Sequence, residues 1–233
     1  MRPSDATFLL VGAGGLGSPL ALALAATGAG RLVIVDDDVV ELSNLARQIL
    51  YRTEDVGRPK VEAARDALGR RGVACRVEPV RARFSEGTAR ALLHDADVVV
   101  DGTDDLATKF LVNDACLALR RPFVIGGVLR DVGLVFPVRP STSDACYRCL
   151  FEAPPAGEGE TCAEAGVLGA TCGEVAALVA RAALALATGD DPRGVLGRIW
   201  RLEGGAARAV ELRPRPGCAA CGDTQPFAKE AAP

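Results

Sequence analysis

The sequence predicts an α/β protein, a Rossmann-like doubly wound sheet that is mostly parallel and is continued by an antiparallel C-terminal part carrying a four-cysteine zinc knot. Three observations carry that reading. Short β-branched runs alternate with helical patterns over the first 130 residues. A glycine-rich turn joins the first such run to the first helix. Two Cys-x-x-Cys pairs stand in the second half.

The elements follow in order. Thr7–Val11 reads as a buried strand and Leu16–Thr27 as a helix. Arg31–Asp36 is a second strand, and a helix opened by Pro59 places Val61, Ala64 and Leu68 on one face. Strands at Cys75–Val80, Asp97–Asp101 and Pro122–Gly126 alternate with helices at Glu86–Leu93 and Leu106–Leu119. The pattern changes after Gly133. Leu134–Val138 reads as a strand of another kind, Gly173–Ala187 as a long helix, and Ile199–Leu202 with Ala209–Leu212 as a hairpin around Gly204-Gly205. The chain reads as one domain in two halves, 1–133 with the glycine turn and 134–223 with the cysteine pairs. Within the latter, 153–166 reads as a mobile loop, and 224–233 as a disordered tail.

Composition narrows the function. The 233 residues are 49% hydrophobic and 24% charged, which supplies an ordinary core, while 4% aromatics leave Val, Leu and Ala to fill it. A net charge of −3 gives no global reason to bind nucleic acid or an anionic membrane. No apolar run is long enough to span a bilayer, since Arg181 interrupts the Ala/Leu-rich stretch 174–188, and the start does not read as a signal peptide. A cytoplasmic location is the expectation.

Gly12-Ala13-Gly14-Gly15-Leu16-Gly17 fits G-x-G-x-x-G, in which missing side chains let backbone amides and a helix N-terminus approach phosphate. Asp36 ends the second strand, where a carboxylate accepts ribose hydroxyls. These two features alone fit a dinucleotide cofactor equally well. Ser43, Asn44, Arg47 and Gln48 lie beyond the same strand end, and Arg47 has the forked donors that suit phosphate. Lys60 sits in the first turn of its helix, against the dipole, and a residue set against a local preference invites a functional explanation. In Asp101-Gly102-Thr103-Asp104-Asp105, one carboxylate is a candidate Mg²⁺ ligand, and either Asp104 or Asp105 is a candidate helix cap. Cys146/Cys149 and Cys218/Cys221 have the spacing of a closed, structural zinc site. Cys162 is a candidate transfer thiol, with a spectator role equally open. His94, the sole histidine, has no evident partner.

Together GAGGLGS, VDDDVVELSNLARQ, GRPK, DGTDD, CYRCLF, TCAEAGVLG and CAACG resemble the ThiF/MoeB/HesA family of ubiquitin-activating-enzyme-like adenylyltransferases over residues 8–222. The resemblance implies attack of a carrier protein's C-terminal glycine carboxylate on the α-phosphorus of ATP. The carrier is a small ubiquitin-like sulfur carrier ending in Gly-Gly, of the molybdopterin-synthase or thiamine-pathway kind. Pyrophosphate leaves, and a sulfurtransferase or cysteine desulfurase later supplies sulfur. It further implies that Gly15 and Asp36 line the adenosine site, that Ser43, Asn44 and Arg47 meet the phosphates beside Lys60, that Asp104 holds Mg²⁺, and that the chain forms a homodimer. Arg47, Lys60 and Asp104 are thus the catalytic candidates, and Gly12, Gly14, Gly17, Gln48 and Asp105 complete the nucleotide site. Asp105 stands where the family commonly has asparagine, and only Arg2 is basic ahead of the glycine loop, where the family has a leading arginine-bearing segment. Two other readings stay open: an NAD(P)-dependent oxidoreductase, and a subunit that binds nucleotide or carrier with little turnover.

Overall fold

The computed structural model describes residues 1–140, 144–154 and 166–222. One eight-stranded sheet organises them, in the order β3-β2-β1-β4-β5-β6-β7-β8. Strands β1 (Thr7–Val11), β2 (Arg31–Val35), β3 (Arg76–Val80), β4 (Val98–Asp101) and β5 (Phe123–Leu129) pair in parallel. The antiparallel strands β6 (Val132–Val138), β7 (Arg198–Glu203) and β8 (Ala206–Glu211) extend the same sheet from β5. The 3-2-1-4-5 order reverses direction between β1 and β4, and open α/β sheets bind ligands at such a switch point, beyond the strands' carboxyl ends.

Strand side chains alternate between two cores. Phe8, Leu10, Leu32, Ile34, Val98 and Val100 face one side. There they meet α1 (Gly17–Ala25), α2 (Lys60–Arg70) and α6 (Gly169–Thr188). Leu9, Val11, Val33, Val35 and Val99 face the other, against α3 (Glu86–Leu93), α4 (Leu106–Ala118) and the single turn α5 (Tyr147–Leu150). Small residues set the layer spacing. A Cβ on Gly133 would lie 2.3 Å from a Val175 methyl, and one on Gly126 would lie 2.9 Å from Leu16 and 3.3 Å from Val179. Alanines at 176, 180, 182, 183, 185 and 187 fill the buried face of α6.

The sequence expectations need several adjustments. β5 runs on to Leu129 and turns directly into β6, with Arg130 at φ 57°. Helix α6 starts at Gly169, four residues early, and so reaches 20 residues. That makes it long and apolar enough to cross a membrane, contrary to expectation, but it packs against α1, β5 and β6 as a core helix. The β7–β8 turn needs positive φ at both central residues, and Gly204 (57°) and Gly205 (76°) supply it. Of the loop expected at 153–166, residues 155–165 lie outside the described residues, as does the tail 224–233.

Candidate functional site

The glycine turn after β1 opens a cleft of about 480 Å³ at the carboxyl ends of β1–β4. Its backbone is tightly constrained. Gly12 has φ 89°, and a Cβ there would meet Thr103 at 2.8 Å. A Cβ on Gly17 would lie 2.0 Å from the Gly12 carbonyl oxygen. Asp36 braces the turn: its Oδ2 accepts from the Ala13 amide at 2.7 Å and its Oδ1 from the Asp38 amide at 2.9 Å. Burial pushes the Asp36 carboxyl up from its ordinary range, against the opposing pull of Lys60 and the two amides. Two buried hydroxyls brace the turn from behind. Tyr51 donates to the Ala13 carbonyl at 2.8 Å, and Ser18 accepts from the Leu50 amide at 2.8 Å.

The structure brings the predicted residues together. Gly12, Gly14, Gly15, Asp36, Asn44, Arg47, Gln48, Lys60, Asp104 and Asp105 all line the cleft. The Arg47 side chain lies over Gly15, where an added Cβ would sit 3.4 Å from its Cδ and Nε, and among the described residues its guanidinium donates only a long bond, 3.4 Å, to the Ser43 carbonyl. Lys60 is the first residue of α2 and is buried, with Nζ 2.7 Å from Asp38 Oδ2. Asp38 therefore answers the unfavourable dipole. Asp36, Asp37 and Asp38 bring carboxylate oxygens within 4.8 Å of one another. Gln48 is 2% exposed and donates to Asn44 at 3.0 Å, while its Oε1 has no partner among the described residues. An orphaned acceptor costs free energy unless a donor arrives. Ser43 stands just outside the lining, exposed, with its hydroxyl 3.4 Å from Glu41.

The acidic cluster after β4 divides three ways. Asp105 is the cap of α4: its carboxylate accepts from the Ala107 amide at 3.3 Å, the Thr108 amide at 3.0 Å and the Thr108 hydroxyl at 2.6 Å. Burial opposes its charge, but those donors and Arg83 outweigh burial and hold the carboxyl below its ordinary range. Asp104 is exposed in the cleft and makes no side-chain hydrogen bond or ion pair among the described residues. Asp101, one of the carboxylates offered as a Mg²⁺ ligand, does not line the cleft. It is fully buried and paired at 2.7 Å with Lys109, a residue that sequence reasoning missed because eight positions separate the partners and Lys109 reads as a helix-surface cation.

Cys146, Cys149, Cys218 and Cys221 gather with all four sulfurs within 4.8 Å of one another. The closest separations are 3.4, 3.7 and 3.9 Å. A tetrahedron of thiolates about 2.3 Å from a zinc ion has edges of about 3.8 Å, so the cluster is compatible with a zinc knot. Burial and the neighbouring sulfurs push the Cys146 and Cys221 thiols up, Cys221 to about 12. At Cys218 burial pulls the same way, but the Ala220 and Cys221 amides prevail and bring it down to about 6. The Arg215 amide donates to Cys149 Sγ at 3.3 Å. Beside the cluster, Tyr147 donates its amide to Asn113 at 2.8 Å, and Arg148 grips Asp114 with two bonds of 2.8 and 2.7 Å while lying over Phe110. These contacts fix the knot to α4.

Of the other singled-out residues, Cys75, Cys116 and Cys172 are buried, and Cys172 also lines the cleft. Cys162 lies outside the described residues. His94 has a partner after all, Asp95 at 2.6 Å, and sits exposed at the end of α3, away from the cleft lining.

Comparison with known proteins agrees with this geometry. Residues 2–220 match the ThiF family model. The chain is 42% identical over 234 residues to "Adenylyltransferase and sulfurtransferase MOCS3" of Anopheles gambiae, aligning 98% of itself with 52% of that protein. It is 41% identical to "Sulfur carrier protein adenylyltransferase" of Thermus thermophilus, aligning 95% of itself with 84% of that protein. The chain thus spans about half the length of the MOCS3 relatives. Among solved structures, E. coli MccB with MccA-N7isoASN superposes with a TM-score of 0.82 at 22% identity, over 95% of this chain and 68% of that one, and shares the fold. A glycine turn braced by Asp36, cations lining the cleft it opens and a family match over nearly the whole chain lead to one conclusion: this chain belongs to the ThiF family.

Proposed function

We propose that this chain adenylylates the C-terminal glycine carboxylate of a small ubiquitin-like sulfur-carrier protein at the expense of ATP. The observation that carries the proposal is that Arg47, lying over the glycine turn, and Lys60 line one cleft. Two such cations suit the higher charge of a triphosphate better than that of a dinucleotide's pyrophosphate. Both named relatives are called adenylyltransferases, which supports the same class.

The reaction is an in-line displacement: a carboxylate oxygen forms a bond to the α-phosphorus as the bond to the pyrophosphate oxygen breaks. The nucleophile is already charged, so positioning and neutralisation outweigh base catalysis. Gly12, Gly14 and Gly15 let the backbone approach the phosphates, and Gly17, outside the cleft lining, lets α1 pack against the Gly12 carbonyl. Asp36 has a lone pair left on each oxygen to accept a ribose hydroxyl, and the Gln48 Oε1 acceptor waits for a donor. Arg47, with Ser43 and Asn44 beside it, meets the phosphates. Lys60 gives up part of its hold on exposed Asp38 to do the same. Asp104, an unengaged hard oxygen donor, suits Mg²⁺, which would screen phosphate charge. The four cysteines would hold Zn²⁺ as a closed structural centre, with no open position for chemistry. In this reading the adenylate then receives sulfur through a sulfurtransferase or cysteine desulfurase, and two copies of the chain work as a homodimer.

The test is a calorimetric titration with Mg-ATP and, separately, with NADH, using Lys60→Ala as the control. We expect ATP binding that Lys60→Ala weakens by about tenfold or more, a loss of about 1.4 kcal/mol. Pyrophosphate exchange dependent on a carrier with a Gly-Gly terminus is expected to follow. NADH binding indifferent to Lys60 overturns the proposal. Tight ATP binding without exchange on any carrier would make the chain a binding subunit.

A further inference from the structure

We infer that Lys109 is a positioning residue for the adenylylation step, clamping the peptide that carries Asp104. The inference rests on the proposed function and on Asp104 as the metal-binding carboxylate. The Lys109 side chain is 6% exposed, and its ammonium has three donors, all used. One goes to Asp101 Oδ2 at 2.7 Å, one to the Thr103 carbonyl at 2.7 Å and one to the Gly126 carbonyl at 2.6 Å. No donor is left for a ligand, and Lys109 is absent from the cleft lining, so it does not touch nucleotide directly.

What it holds is specific. The Thr103 carbonyl belongs to the same peptide unit as the Asp104 amide. Asp101 Oδ1 grips the preceding part of the loop, accepting from the Thr103 amide at 3.0 Å and the Thr103 hydroxyl at 2.7 Å. On the far side, Asp105 is tied to the first turn of α4, the helix that also carries Lys109. Asp104 is thus an unengaged carboxylate between two pinned neighbours. The Gly126 bond adds the middle of β5, one residue past its last pairing with β4, so the clamp ties the carboxyl end of β4 to the adjacent strand. Fold stability alone does not call for this arrangement, because a buried ion pair is often matched or bettered by neutral groups of similar volume. Preorganisation does call for it, since a hard cation demands ligands fixed before it arrives.

The experiment measures ATP binding by calorimetry, with Mg²⁺ and with chelator, for a double variant that removes both charges together, Asp101→Asn/Lys109→Met. We expect binding of Mg-ATP to weaken by about tenfold or more, with Mg-free ATP within about twofold of wild type. A purely structural role would shift both alike, and that result, or an unchanged Mg-ATP affinity, overturns the inference. Lys109→Arg, which keeps the cation, should restore Mg-ATP binding to within about threefold. Should the double variant not fold, Thr103→Val decides. It loses one tether on a half-exposed residue, and a loss of about threefold confined to Mg-ATP is expected, with equal affinity overturning the inference. Asp104→Ala separates the layers. If it leaves the Mg-ATP advantage intact, the metal-ligand reading fails and takes this inference with it. If it abolishes that advantage while the Lys109 variants keep it, the Lys109 inference falls alone.

Discussion

Replacing Asp105 by alanine and by asparagine separates the two jobs its position imposes. As the cap of α4 it satisfies two backbone amides and a hydroxyl, and as a cleft carboxylate it adds negative charge beside the phosphate-binding cations. Asp105→Ala loses the cap, at a cost of about 1–2 kcal/mol. At about 2–4 °C per kcal/mol for a chain of this size, the melting point should fall by roughly 2–8 °C. Asp105→Asn keeps an oxygen acceptor of comparable capping strength, so at pH 7 it should melt close to wild type. The pH dependence has a fixed sign. The folded Asp105 carboxyl is held below its ordinary range, so its stabilisation is present above the unfolded value of about 3.9 and is lost as pH falls through the lower folded value. The gap between wild type and Asp105→Ala should therefore shrink as the pH drops below about 4, while Asp105→Asn, which does not titrate, keeps its advantage over alanine there. Removing the charge should also tighten Mg-free ATP binding in Asp105→Asn. Thermal melts from pH 7 to pH 3 and one calorimetric titration are sufficient. If asparagine melts as low as alanine, or alanine melts like wild type, the capping argument is wrong.

Two further perturbations bear on other parts of the molecule. Gly17→Ala places a Cβ against the Gly12 carbonyl, which cannot yield without reshaping the turn, so we expect destabilisation of about 1–3 kcal/mol by urea unfolding and loss of ATP binding; native affinity would refute the packing argument. Metal analysis should find one zinc per chain, and removing it with a strong chelator should lower the melting point and release α5 from α4, read as faster amide exchange at Tyr147; a chain that melts identically after chelation would exclude a structural role for the four cysteines.

Much of this was legible in the sequence, for identifiable reasons. Strand–helix alternation, the glycine turn and the Cys-x-x-Cys pairs are local signals, each set by spacing within a few residues. The Gly204-Gly205 hairpin was legible because only glycine readily fills both positive-φ positions. Pairings across long separations were not. Nothing near Lys60 indicates that Asp38, 22 residues earlier, would neutralise it, and nothing near Tyr51 indicates that its hydroxyl would brace Ala13, 38 residues back. Asp101 was misjudged because its side follows from the period-2 alternation of β4, and a continuous valine run buried on both faces does not reveal which side that is. The start of α6 was missed because Gly169 and Gly173, poor helix residues, fall in its first turns.

The close seating of α6 on the sheet has a consequence for how far the molecule tolerates change. The helix rests on bare backbone at Gly126 and Gly133, and its Cys172 forms part of the cleft wall. A single added methyl group at either glycine would act as a shim, lifting one end of a long stiff rod whose other job is to bound the ligand's space. Substitutions far from any phosphate contact would then be read out as changes in cleft width. The scarcity of aromatic residues in this chain is, in that light, a machining tolerance: the thin alanine-and-glycine joint sets the gap that the substrate must fit.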